Sequence, residues 1–217
     1  MLTVSIPVGQ DLIEGDLVLP DHAKAVVIFA HGSGSSRFSP RNRYVAEVLS
    51  RAAVATLLID LLTAEEELVD IRTAEHRFNI NLLADRLITA TDWSREEPKL
   101  SSLPMGYFGA STGAAAALVA AANRPDRISA VVSRGGRVDL AQGYLEKVQA
   151  PTLLIVGEFD RDVMELNRTA ARSMRAPVEI RTILGATHLF EEEGALEEVA
   201  ALAREWFEKK LRHKQAA

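Results

Sequence analysis

Met105-Gly106-Tyr107-Phe108-Gly109-Ala110-Ser111-Thr112-Gly113-Ala114-Ala115-Ala116-Ala117-Leu118-Val119 holds the key to the chain's architecture. It begins as a short apolar strand, Met105–Phe108, and ends as an alanine-rich helix over 112–122, apolar all round as a helix packed deep against a sheet should be. The 24 residues between Lys99 and Arg124 carry no charge, enough on a bare count for a membrane span. Pro104, Gly106, Gly109, Ser111, Thr112 and Gly113 interrupt them, so a buried strand, sharp turn and helix is the expectation. Gly109-Ala110-Ser111-Thr112-Gly113 is G-x-S-x-G at the turn between the two. A side chain at either glycine would collide with the neighbouring helix or strand, which makes Ser111 a candidate nucleophile. The competing reading is a tight turn with a capping serine.

Outward from this stretch the chain alternates strand and helix. Ala25–Ala30, Val54–Ile59, Ile128–Val132 and Thr152–Val156 are short runs apolar on both faces, the mark of parallel strands covered on both sides. Val178, Ile180, Thr182 and Leu184 alternate with Glu179 and Arg181, as suits a strand nearer the sheet edge. Thr3–Val8 and Leu12–Leu19, split by Gly9-Gln10-Asp11, read as an antiparallel pair ahead of the parallel part. Helical spacing is clear at Tyr44, Val45, Val48 and Leu49 after Pro40, and at Ile80, Leu83, Leu87 and Ala90 in a segment ending near Trp93. Leu196, Val199, Leu202 and Trp206 stripe a last helix, whose tail bears Lys209, Lys210, Arg212 and Lys214. Short connections throughout predict a single α/β domain over 1–217.

Composition narrows the function. Hydrophobic residues are 47% and charged ones 25%, which gives a globular chain with a real core. A net charge of −5 argues against nucleic acid as a partner. With 0 cysteines, no disulfide, thiolate metal site or thiol nucleophile is available. No basic segment followed by an apolar one opens the sequence, so a cytoplasmic chain with no membrane partner is the default expectation.

A serine hydroxyl needs a base to take its proton. Of the 5 histidines, His22 falls in a turn, His76 at the start of a helix and His213 in a charged tail, each read as solvated. His188, in Gly185-Ala186-Thr187-His188 after the last strand, can swing over the sheet's C-terminal edge. It is the candidate base, against the reading of a polar surface residue. The base needs an acid, and Asp160 in Gly157-Glu158-Phe159-Asp160 sits where the strand Thr152–Val156 turns into a loop. Glu158 and Asp162 are its rivals, the first too close to the strand and the second headed into the next helix. An oxyanion requires two backbone N–H groups. Thr112 supplies one at a helix N-terminus, and Ser33 in Ala30-His31-Gly32-Ser33-Gly34-Ser35-Ser36 is placed to supply the other. Gly32-x-Gly34 fits a dinucleotide fingerprint poorly, because the third glycine position is Arg37. His31 reads as a structural histidine holding this loop, with a second base or a metal ligand as the competing roles.

These residues together resemble the α/β-hydrolase superfamily, and within it the dienelactone hydrolase-like branch. The resemblance runs from His31-Gly32-Ser33-Gly34 through the serine motif and Gly157-Glu158-Phe159-Asp160 to His188, with the Ser35-Ser36-Arg37 and Ser39-Pro40-Arg41-Asn42 stretch similar to a bacterial subgroup. It implies a mostly parallel central sheet with helices on both faces. It also implies Ser111 as nucleophile, Asp160 as acid and His188 as base, with no metal and no cofactor. Dienelactone hydrolases carry cysteine where this chain has Ser111, so a general ester, thioester or lactone hydrolase is expected. The alternatives are a non-catalytic binding module of the same fold, or an acyltransferase.

Such folds often insert a helical cap after the sixth strand. Here Gly136–Pro151 has room for one helix, Asp139–Val148, and no large cap domain. Leu61–Arg77, with Glu65-Glu66-Glu67 and Asp70, reads as a solvated acidic loop. Arg134 in Ser133-Arg134-Gly135-Gly136 is a candidate ligand for the anionic group of a small-molecule substrate. The competing reading pairs it with the acidic loop. Arg37 and Arg41 are weaker candidates for the same role.

Overall fold

The computed structural model describes residues 1–211; Arg212, His213 and Lys214 of the expected basic tail lie outside them. Eight strands form one sheet: β1 (Leu2–Val8), β2 (Asp11–Val18), β3 (Ala25–Ala30), β4 (Val54–Ile59), β5 (Met105–Ala110), β6 (Ile128–Arg134), β7 (Thr152–Gly157) and β8 (Val178–Ile183). Their order across the sheet is β1-β2-β4-β3-β5-β6-β7-β8. β1 and β2 pair antiparallel with each other, β2 antiparallel with β4, and the remaining neighbours are parallel. The alternating run is indeed the edge strand β8.

Among the described residues six α-helices complete the fold: α1 (Pro40–Arg51), α2 (Ala64–Thr73), α3 (Ile80–Glu96), α4 (Thr112–Asn123), α5 (Arg161–Ser173) and α6 (Ala195–Lys210). The two faces of each inner strand send alternate residues into two separate cores. Val27, Phe29, Phe108, Val132 and Ile155 pack on Val45 and Leu49 of α1 and Val199, Trp206 and Phe207 of α6. Val26, Ile28, Tyr107, Val131 and Leu154 pack on α3, α4 and Ala170 of α5. Both faces are covered, which is why the strands show no alternation in sequence.

Three local expectations are corrected. The acidic run is a helix, not a loop. Thr63 Oγ1 accepts from Glu66 N–H while the Glu66 carboxylate accepts from Thr63 N–H, a capping box that starts α2 with three glutamates in its first turn. The segment expected to form a helix over Asp139–Val148 instead makes two short 3₁₀ turns, Val138–Ala141 and Leu145–Lys147. Gly143, at φ +89°, sits between them and ends the first. His76 lies in the loop ahead of α3 rather than at its start. No cap domain follows β6, and among the described residues no helix is long and apolar enough to cross a membrane.

From β3 the chain steps to β4 on one side and returns to β5 on the other, so the C-terminal ends of β3 and β5 flank a topological switch point. Ligands of open α/β sheets bind in such crevices. The His31–Ser35 loop and Ser111 both emerge there.

Candidate active site

Ser111 sits between β5 and α4 with φ +50° and ψ −120°, a conformation that costs a non-glycine residue energy and that its surroundings must enforce. They do so from several sides. Ser111 N–H donates to Arg134 O (3.2 Å), and Ser111 O accepts from Ala114 N–H (3.1 Å) and Arg137 N–H (3.0 Å). A Cβ on Gly109 would stand 2.4 Å from Ala114 Cα, and one on Gly113 2.4 Å from the carbonyl oxygens of Ala30 and His31. The glycines of the motif therefore let β5, α4 and the end of β3 approach within backbone contact. Thr112 opens α4, so its N–H is one of the four that helix geometry leaves without an internal acceptor. Ser33 and Thr112 line one small cavity together with His31 and Gly32, about 10 Å³ in volume.

His188 and Asp160 meet across two loops. The imidazole Nδ1 and Asp160 Oδ2 are 2.6 Å apart, with the Asp160 side chain 13% exposed and that of His188 40%. The loops are bound together by Phe159 N–H to Ala186 O and Glu158 N–H to Ile183 O, both 2.9 Å. Both rivals of Asp160 are placed elsewhere. The Glu158 carboxylate accepts from Gly185 N–H (2.8 Å), and Asp162 lies in the first turn of α5. Ser111 Oγ has no hydrogen-bond partner among the described residues.

Four positioning residues were not legible as such in the sequence. Gly135, at φ +54°, lies where a Cβ would come within 3.4 Å of the His188 ring, so the imidazole rests against bare backbone one residue beyond Arg134. A Cβ on Gly157 would stand 2.5 Å from Ala186 O and 2.6 Å from Thr187 O. Glu192 accepts from both Thr187 N–H (3.0 Å) and Oγ1–H (2.6 Å), fixing the turn that carries His188. Asn167, fully buried on α5, donates to Gly136 O at 2.8 Å. Gly135-Gly136 at a strand end was the one visible signal; the others depend on tertiary contacts.

The arginines separate sharply. Arg37 is held by Asp60 through its backbone N–H (2.8 Å) and its guanidinium, with Asp16 at 3.6 Å, and it lies over the Phe38 ring. Its charge is neutralised, which removes the expected role as an anion ligand. Arg41 pairs with Glu191 at 3.1 Å. Arg134 is only 8% exposed, has no carboxylate partner among the described residues, and leaves Nη1 without any partner. The pairing of Arg134 with the acidic segment does not occur; those acids serve Arg86 and Arg77. Burial and the like charge of Arg41 push the Arg134 pKa down to about 10.

His31 is buried and held below its ordinary 6.5 by desolvation, against which the Gly32 hydrogen bond and Asp60 pull weakly. The unfolded chain therefore takes up a proton that the folded chain refuses. His31's contribution to stability is complete above about pH 6.5 and is lost as pH falls below it. The urea midpoint is expected to decline from about pH 7 to about pH 5, and less steeply in His31→Asn, when measured by tryptophan fluorescence.

A mostly parallel sheet, a strained serine between β5 and α4, and a histidine on the loop after the last strand define an α/β-hydrolase. More narrowly, the chain belongs to the dienelactone hydrolase family, whose profile matches residues 13–213. It is 57% identical to a dienelactone hydrolase from Anabaena variabilis of known crystal structure, with a TM-score of 0.95 over 97% of this chain and 98% of that one. It is 55% identical over 204 residues to a Mycobacterium tuberculosis protein whose name assigns it, provisionally, as a phosphoribosyl transferase. That match takes in 94% of this chain but only 45% of the relative, so the chain spans about half the length of the curated relatives it matches. Est1E from Butyrivibrio proteoclasticus shares the fold at 16% identity, with a TM-score of 0.79 over 95% of this chain and 98% of that one.

Proposed function

We propose that this hydrolase is a serine esterase that cleaves a small soluble ester, thioester or lactone through an acyl-enzyme on Ser111. Ser111 Oγ attacks the substrate carbonyl carbon and passes its proton to His188 Nε2. Asp160 accepts from His188 Nδ1–H, which fixes the tautomer and stabilises the imidazolium. The carbonyl oxygen, now negative, receives the N–H groups of Thr112 and Ser33. Collapse expels the alcohol, thiol or lactone hydroxyl with the proton from His188. Water then repeats the sequence in reverse and frees Ser111.

The observation that supports this reading most is the 2.6 Å contact between Asp160 and His188, made by two separate loops, in a chain whose Ser111 is held at φ +50°. Phosphoribosyl transfer, the activity in the name of the longer relatives, has no counterpart in the chemistry these residues offer. Stopped-flow hydrolysis of p-nitrophenyl acetate is expected to show a burst of about one equivalent of nitrophenol before steady turnover. A folded protein that gives neither burst nor turnover on short acyl esters would refute the reading.

Arg134 supports an anionic substrate. An unpaired guanidinium so deeply buried is costly to the fold, and a carboxylate on the substrate would satisfy it. Arg134→Met is expected to raise stability by about 1 kcal/mol or more while abolishing any preference for anionic acyl groups, by roughly 10- to 100-fold in KM. Thermal melts and a panel of neutral and carboxylate-bearing esters check both halves. A less stable variant with an unchanged ester preference would show Arg134 to be structural.

A further inference from the structure

The mechanism leaves His31 unused, although it is buried at the mouth of the switch point between β3 and β5. Its two nitrogens have unlike partners. Leu61 N–H points at Nε2 from 3.1 Å, so Nε2 accepts. A neutral imidazole then carries its proton on Nδ1, which lies 2.9 Å from Gly32 O and donates to it. Gly32 O also accepts from Ser35 N–H at 3.2 Å. Two donors therefore grip one carbonyl.

That carbonyl belongs to the same peptide unit as Ser33 N–H. In a planar trans peptide the C=O and N–H point in opposite directions, so a carbonyl pinned on one side fixes the direction of the N–H on the other. Ser33 N–H has no acceptor among the described residues. Gly32 itself is pressed on the elbow, the sharp Gly109–Gly113 turn that carries Ser111, since a Cβ there would stand 3.1 Å from Ser111 Cβ and 3.3 Å from Ala110 O. Without the Nδ1 donor, a glycine-flanked peptide can rotate and turn its carbonyl, rather than its N–H, toward developing negative charge.

We propose that His31 is the positioning residue of the oxyanion hole, holding the Gly32–Ser33 peptide so that Ser33 N–H faces the tetrahedral intermediate. This rests on the serine esterase reading above. His31 takes no proton from substrate and touches no reacting atom; it acts through the peptide it holds. Its Nε2 ties the same loop to the end of β4, so one side chain serves as both lock and anchor.

The two roles can be pulled apart by amide substitutions. An asparagine at position 31 can place its side-chain N–H near Nδ1 and keep the bond to Gly32 O. A glutamine reaches the Nε2 position and keeps only the tie to Leu61. The full chain and the variants His31→Asn, His31→Gln and His31→Ala would be compared by kcat and KM for p-nitrophenyl acetate, inhibition by phenylboronic acid, and thermal melting. An oxyanion donor acts only in the transition state, so kcat should fall at constant KM, and boronate affinity should fall in parallel. The expected loss is about 10- to 100-fold for His31→Gln and His31→Ala, with His31→Asn recovering most of it. Equal turnover in the Asn and Gln variants would overturn the proposal. So would a loss that tracks the unfolded fraction, or one confined to KM with boronate affinity unchanged. Fluorophosphonate labelling of the wild-type chain separates the two levels of failure. An unlabelled Ser111 defeats the esterase reading itself, whereas a labelled Ser111 with indifferent His31 variants defeats only the lock.

Discussion

Ser111→Ala is expected to lower kcat for ester hydrolysis by about 10⁵- to 10⁶-fold, with the fold intact. Nothing else in the site is placed to replace the hydroxyl. The chain has 0 cysteines, and His188 without a serine to deprotonate is left as a general base for water alone. The comparison with Ser111→Gly is equally informative. Alanine keeps the strain of φ +50° and glycine removes it, so the glycine variant should be more stable than wild type by about 1 kcal/mol while just as inactive. In a chain of this size that gain corresponds to roughly 2–4 °C in Tm. A stability gain paired with total loss of activity is what a strained functional residue predicts, and what a capping serine in an ordinary turn does not.

Gly113→Ala should have the largest effect on stability. The added methyl would stand 2.4 Å from two carbonyl oxygens, those of Ala30 and His31, and 2.8 Å from Ala30 carbon. None of these is the end of a flexible side chain, so either α4 or the end of β3 must move. Overpacking against backbone costs about 3 kcal/mol, or roughly 6–12 °C in Tm. Activity should suffer beyond the loss of folded protein, because the displaced segment carries the His31–Ser33 loop and the elbow together. Differential scanning calorimetry with specific activity per folded molecule measures both. A variant with wild-type Tm would mean that the elbow is less tightly held than its glycines indicate.

Much of the geometry of this candidate site was legible in the sequence, for physical reasons that can be named. Gly109 and Gly113 betray the elbow because backbone contact admits no side chain there. Asp160 and His188 could be placed because each follows a strand, and parallel strands deliver their ends to one edge. The strands themselves announced their burial through unbroken apolar runs such as Val26-Val27-Ile28-Phe29. The failures have two origins, local signals that outweigh composition and pairing that only tertiary packing decides. A capping box at Thr63 and Glu66 outweighed the look of an acidic loop, and Gly143 broke a helix whose apolar spacing was otherwise adequate. Arg37 and Arg134 look alike in sequence, yet Asp60 and Asp16 neutralise one while the other stays buried alone. Which arginine meets which carboxylate is decided by tertiary packing, and the same holds for Glu192 on Thr187 and Asn167 on Gly136.

Peptide mapping after brief exposure to a fluorophosphonate shows whether Ser111 is an activated nucleophile. One covalent phosphonyl group per chain is expected, on Ser111, formed rapidly in the wild type and far more slowly in His188→Ala. A folded chain that stays unmodified, or is labelled on another residue at the same rate with or without His188, would show that Ser111 is not an activated nucleophile.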